Sequence, residues 1–154
     1  MDVTVDKVLL IVEDSPEDLE ATLRALRAAG REPLIAHCSD GDEALDYLHR
    51  RGRFLDPAAA PRPSLVLLDL NLPGTDGRDV LREIRSSPAL HSIPVVVFTT
   101  SAHTRDAEIC QQAGASAYVQ KPIRADELTA TLQGLLERFL DAPSRPRPAA
   151  GAAS

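Results

Sequence analysis

Five short runs of large aliphatic residues punctuate the chain, separated by segments whose apolar positions recur every three or four residues. The runs are Lys7–Val12 (KVLLIV), Pro33–Cys38 (PLIAHC), Ser64–Leu70 (SLVLLDL), Ile93–Phe98 (IPVVVF) and Ala117–Gln120 (AYVQ). The first, third and fourth are almost continuous Val, Leu and Ile, the pattern of strands covered on both faces. The second and fifth are shorter and more mixed, as at the edges of a sheet. The intervening periodicity predicts helices over Pro16–Ala29, Asp42–Arg51, Asp76–Ser86, Thr104–Ala113 and Ala125–Leu140. Ser15 is placed as an N-cap and Gly30 as a stop for the first of them. Strict alternation of strand and helix predicts an α/β fold: a doubly wound parallel sheet with right-handed crossovers and helices on both faces.

Two segments break the alternation. Arg50–Pro63 is a long, proline-containing connection into the third strand. The Pro/Ala-rich stretch 142–154 can bury almost nothing and is expected to be a disordered tail behind a single domain spanning 1–141.

Composition narrows the picture. Aromatic residues make up only 3% of the chain, so the core must be aliphatic. A formal net charge of -6 and the lack of a Lys/Arg run argue against nucleic acid as a direct partner, because phosphate backbones call for basic patches. No apolar run approaches a membrane span, and the N-terminus lacks the basic and apolar regions of a signal peptide. A cytoplasmic protein is expected. Cys38 and Cys110 match no metal spacing and read as buried, reduced thiols.

The chemistry gathers at the strand ends. The first strand runs into Glu13-Asp14, the third into Asp69, the fourth into Thr99-Thr100-Ser101 and the fifth into Gln120-Lys121-Pro122. In a parallel sheet these ends share one edge, where α/β folds bind ligands. Each residue alone has an ordinary explanation: a cap, a loop or a surface lysine. Together they assemble three carboxylates, hydroxyls and an ammonium. Clustered acids repel and call for a cation, and oxygen ligands suit a hard ion such as Mg2+. With metal and Lys121 neutralising phosphoryl oxygens, Asp69 is placed to act as a nucleophile in phosphoryl transfer.

These residues carry a resemblance. LLIVEDSPED, LVLLDLNLPGTDG, IPVVVFTTSA and GASAYVQKPI, in that order and spacing, resemble the receiver domain of two-component response regulators over about Val5 to Leu140. The resemblance implies a five-stranded sheet of order 2-1-3-4-5 flanked by five helices. It implies that Asp69 accepts phosphate from the phosphohistidine of a histidine kinase. Asp14 and Asp69 would ligate Mg2+ directly, with the backbone carbonyl of Asn71, and Glu13 would act through water. Glu13 is a small departure, since many receivers have Asp there. Thr99 matches the switch hydroxyl, Tyr118 the switch aromatic and Lys121 the phosphate-binding lysine, with a cis Lys121-Pro122 bond. Asn71 and Ser101 lie where side chains tune the lifetime of the phosphoryl group. The long second-to-third connection, LLDLNLP and VVVFTTS look like the stand-alone receivers paired with phytochrome-type histidine kinases.

Two rival classes fare worse. Aspartyl-phosphate phosphatases would show D-x-D at the first strand, where this chain has Glu13-Asp14. A flavodoxin-like binder of flavin mononucleotide would need a neutral loop after that strand, where Glu17 and Asp18 add further charge. A receiver that no longer takes phosphate is disfavoured by the completeness of the site residues. His37, His49, His91 and His103 form no metal constellation and read as structural. With no output domain after Leu140, signalling is expected to run through a homodimer on the face of the fourth helix, fifth strand and fifth helix.

Overall fold

The computed structural model describes residues 7–141; the stretch 142–154 lies outside them. Five parallel strands form one sheet: β1 (Val8–Val12), β2 (Leu34–Cys38), β3 (Leu65–Leu68), β4 (Val95–Thr99) and β5 (Ala117–Gln120), ordered β2-β1-β3-β4-β5. The helices between them are α1 (Pro16–Ala28), α2 (Gly41–His49), α3 (Gly77–Ser86), α4 (Thr104–Gln112) and α5 (Ala125–Leu135).

Every residue of β1, β3 and β4 is buried, whereas β2 and β5 are largely half-buried or exposed. That contrast is the physical basis of the aliphatic runs: a central strand must be apolar on both faces. Alternate strand residues feed two cores. Leu10, Val12, Val66, Leu68, Val95 and Val97 pack on one face with Val80, Leu81 and Ile84 of α3. Leu9, Ile11, Leu65, Leu67, Val96 and Phe98 pack on the other with Leu26 of α1 and Leu128 and Leu132 of α5.

The differences from expectation are local. The fifth helix keeps its regular form only to Leu135, and Leu136–Leu140 form a π-helical turn that brings Leu136 and Leu140 into the core. The connection 50–63 is not a bare loop. Two 3-10 turns, Gly52–Phe54 and Pro57–Ala59, fold it against α2. The Tyr47 hydroxyl donates to the Pro61 carbonyl at 2.6 Å and Arg62 donates to the Leu48 carbonyl at 2.6 Å. Tyr47 and Phe54 meet edge to face at 5.2 Å between ring centroids. The Lys121–Pro122 bond is trans rather than cis; trans is the lower-energy form for X–Pro by about 0.5–1 kcal/mol.

Candidate functional site

The strand ladders extend one residue past the strands and set the site side chains beside one another. The Glu13 amide donates to the Cys38 carbonyl at 3.0 Å and the Asp69 amide to the Val12 carbonyl at 3.1 Å. On the other side the Lys121 amide donates to the Thr99 carbonyl at 2.7 Å. Register thus brings Glu13, Asp69, Thr99 and Lys121 to one edge of the sheet. Ser15 begins α1 by accepting the Asp18 amide on its hydroxyl at 3.2 Å, which leaves Asp14 exposed at the mouth.

Lys121 is the centre of charge. Its ammonium donates to Glu13, to Asp18 Oδ2 at 3.3 Å and to Asp69 Oδ2 at 3.3 Å. The Lys121, Glu13 and Asp69 side chains are only 9%, 5% and 11% exposed, so these charges interact with little screening by water. Burial pushes the Glu13 carboxyl up to about 7, against the pull of Lys121 and with added push from Asp69. Burial also works against the Lys121 ammonium, but the bond to Glu13 and the Asp69 charge hold it above the usual lysine range. Glu13 is thus raised chiefly by burial, while Lys121 stays charged because of the acids around it.

Carboxylate oxygens of Glu13, Asp14 and Asp69 lie within 4.8 Å of one another, which fits one shared cation. The donor set is all oxygen, the chemistry of a hard divalent ion. Asp69 Oδ1 also accepts the Leu70 amide at 2.7 Å, so the carboxylate is held while Oδ2 faces Lys121.

The remaining predicted residues fall into two groups. Thr99 is fully buried, and its hydroxyl oxygen accepts the Ser101 amide at 3.3 Å. Tyr118 is half-buried with its hydroxyl donating to the Ser101 carbonyl at 3.0 Å. Asn71 is exposed in the loop after β3. Thr100, by contrast, is exposed and borders a cavity of about 470 Å3 between α1 and α5, which Asp18 and Lys121 also line. Asp18 is a member of the site that sequence reasoning missed, although it stands in the first turn of α1, directly after the Glu13-Asp14 pair and its Ser15 cap. Among the histidines, His37 Nε2 lies 2.8 Å from the Glu13 carbonyl and His49 Nε2 3.2 Å from Glu83, in keeping with structural roles.

The sequence and the fold are similar to those of known proteins. The family model for the response regulator receiver domain matches residues 9–133. The response regulator Rcp1 of Synechocystis sp. is 36% identical over 140 residues, covering 91% of this chain and 93% of Rcp1. The crystal structure of its Mn2+-bound form superposes with a TM-score of 0.80. The phosphorylated cyanobacterial phytochrome response regulator RcpA is 35% identical with a TM-score of 0.83, covering 92% of this chain and 99% of that one. The bacteriophytochrome response regulator RtBRR is 40% identical with a TM-score of 0.73, over 85% and 78% of the two chains. The strand order is that of this fold, and with the family model matching most of the chain and Rcp1 36% identical over nearly its whole length, the chain belongs to the response regulator receiver family.

Proposed function

We propose that Asp69 is the phosphoacceptor of a two-component phosphorelay and that the donor is the phosphohistidine of a phytochrome-type histidine kinase. The observation that carries the first part is the held Asp69 carboxylate, with Oδ2 3.3 Å from a buried ammonium inside a cluster that fits a cation. An Asp69 oxygen attacks phosphorus, the P–N bond breaks, and the imidazole leaves with its electron pair. The product is an acyl phosphate. Lys121 neutralises the incoming oxygens, and the Thr99 hydroxyl, at the end of β4, donates to one of them once it has turned toward the site. Mg2+, held by Asp14, Asp69 and the Asn71 carbonyl, would supply Lewis-acid charge at the same oxygens. Glu13, ion-paired to Lys121, orients that ammonium and would help hold the cation through water. The similarity to phytochrome response regulators supports the choice of kinase. Turnover is limited to gaining and losing Asp69's own phosphoryl group, which makes the protein a switch rather than an enzyme acting on other substrates. Three acids paired to Lys121 (Glu13, Asp18 and Asp69), with Asp14 beside Glu13 and Asp69, also oppose a flavin phosphate at this edge.

The test is radiolabelled phosphotransfer from candidate kinases and from acetyl phosphate. Label is expected only with Mg2+, and Asp14→Ala is expected to weaken Mg2+ binding and reduce transfer by roughly 100-fold, the scale on which single ligand or electrostatic groups act. Undiminished transfer in excess EDTA would count decisively against the site. Decay of the phosphorylated protein is expected to change on substitution of Asn71, which stands exposed two residues beyond Asp69 where it can orient or block water. An unaltered half-life in Asn71→Ala removes that role.

We further propose that signalling output runs through a homodimer on the α4-β5-α5 face, without nucleic acid or membrane contact, in the cytoplasm. Support comes from how thinly this part of the sheet is covered: α4 buries only Cys110 and β5 is half-buried or exposed along its length. Among the described residues no helix is long and apolar enough to cross a membrane. The substitution Ile109→Glu, on half-buried α4, is expected to lower the mass seen by light scattering from dimer to monomer while circular dichroism stays unchanged. Equal masses for both proteins, with and without phosphorylation, would eliminate the dimer.

A further inference from the structure

Ser101 is held from three sides. Its hydroxyl donates to Asp106 Oδ2 at 2.7 Å, its carbonyl accepts the Tyr118 hydroxyl at 3.0 Å, and its amide donates to the Thr99 hydroxyl oxygen at 3.3 Å. Asp106, in the first turn of α4, is itself fixed. Arg78 Nη2, at the start of α3, donates to Asp106 Oδ1 at 2.6 Å. Arg78 is fixed in turn by Asp76, the N-cap of α3, which accepts Arg78 Nη1 at 3.0 Å and the Arg78 amide at 2.8 Å. The Arg78 and Asp106 side chains are 22% and 17% exposed, buried enough for a charged pair to hold its geometry. Asp106 is held below the usual carboxylate range by the Arg78 hydrogen bond and then by Ser101. One continuous chain, Asp76–Arg78–Asp106–Ser101–Thr99, thus runs from the helix after Asp69 to the hydroxyl at the end of β4.

We propose that Arg78 and Asp106 are positioning residues that latch the β4–α4 loop with the Ser101 amide on the Thr99 oxygen and so set how readily Asp69 is phosphorylated. This rests on the reading of Asp69 as phosphoacceptor. In the latched state the Thr99 oxygen is engaged by the Ser101 amide, and Ser101 cannot follow Thr99 toward a phosphoryl group without straining or breaking its bond to Asp106. A state that must be left before reaction lowers the reactive population, and loosening it raises that population. Neither residue lies in the carboxylate cluster, so the effect is exerted through the loop.

The experiment compares wild type, Arg78→Gln, Asp106→Ala and the double variant, after circular dichroism shows each folded. Two quantities are measured: amide hydrogen exchange at Ser101 in the unphosphorylated protein, and the rate of phosphorylation by acetyl phosphate with Mg2+. Each single variant is expected to raise both by about five-fold, and the double variant no further than either single, because removing one member of a coupled pair already breaks it. Unchanged exchange at Ser101 overturns the latch. Faster exchange with an unchanged or slower phosphorylation rate overturns its role in gating. Multiplying effects in the double variant overturn the coupling between Arg78 and Asp106. If wild type takes up no phosphoryl group at all, the reading of Asp69 has failed, and Ser101 exchange shows separately whether the latch exists.

Discussion

Asp69→Asn is expected to abolish phosphoryl uptake while leaving the fold intact. The amide oxygen of Asn can still accept the Leu70 amide that Asp69 Oδ1 accepts at 2.7 Å, so the turn after β3 keeps its hydrogen bond. What disappears is the nucleophile, and no neighbour can replace it: Glu13 is taken up by Lys121, and Asp14 lies exposed at the rim. Label mapped by mass spectrometry after acetyl phosphate treatment should vanish, and label persisting on the variant would overturn the assignment. A second readout has the opposite sign. In metal-free buffer Lys121 faces several carboxylates, and Asp69 is one of the charges that push Glu13 upward. Removing one like charge from an electron-rich cluster should stabilise the metal-free protein by about 1 kcal/mol. Mg2+ should then stabilise the variant less than wild type, because a ligand is gone. Calorimetry with EDTA and with Mg2+ separates the two effects.

The parts of this site that could be read from the sequence are those fixed by strand periodicity. Once β1, β3, β4 and β5 are placed as parallel strands, Glu13, Asp69, Thr99 and Lys121 must emerge on one edge, and the ladder bonds to Val12 and Thr99 show why. The run Ala117–Gln120 was legible to the residue even though β5 is only half-buried. Asp69 itself lies just past the end of β3 at Leu68, one of several boundary differences of a residue or two. What periodicity cannot reveal is pairing between side chains on separate helices. Arg78 and Asp106 are 28 residues apart, and nothing local to either marks the other as its partner. Asp18 looked like one more solvated acid of α1 until the path of β5 brought Lys121 over it. The folded state of 50–63 was hidden for the same reason: its ties to Tyr47 and Leu48 are tertiary, while its composition suggests only a loop.

Gly77→Ala is expected to cost stability and phosphorylation together, and it isolates a constraint the catalytic residues do not show. The loop after Asp69 turns back so tightly that α3 begins against the strand it left. The Gly77 amide donates to the Leu70 carbonyl at 3.0 Å. A Cβ at this position would overlap the Asp69 carbonyl oxygen and lie 2.7 Å from Leu70 Cα. Both are backbone atoms of β3's continuation and cannot rotate aside as a side-chain tip would. Either α3 moves off the sheet, separating Val80, Leu81 and Ile84 from their core, or the Asp69 backbone shifts and carries the nucleophile away from Lys121. Overpacking of this kind costs about 1–3 kcal/mol or more, which corresponds to a melting temperature lower by on the order of 10 °C in a domain of this size. Gly134→Ala is the matched control. It lies in α5 with nothing within 4 Å of the added Cβ, so it should gain about 0.5–1 kcal/mol of helix propensity and leave phosphorylation unchanged. If Gly77→Ala melts and phosphorylates like wild type while Gly134→Ala rises as expected, the close approach of α3 to Asp69 does not constrain the site.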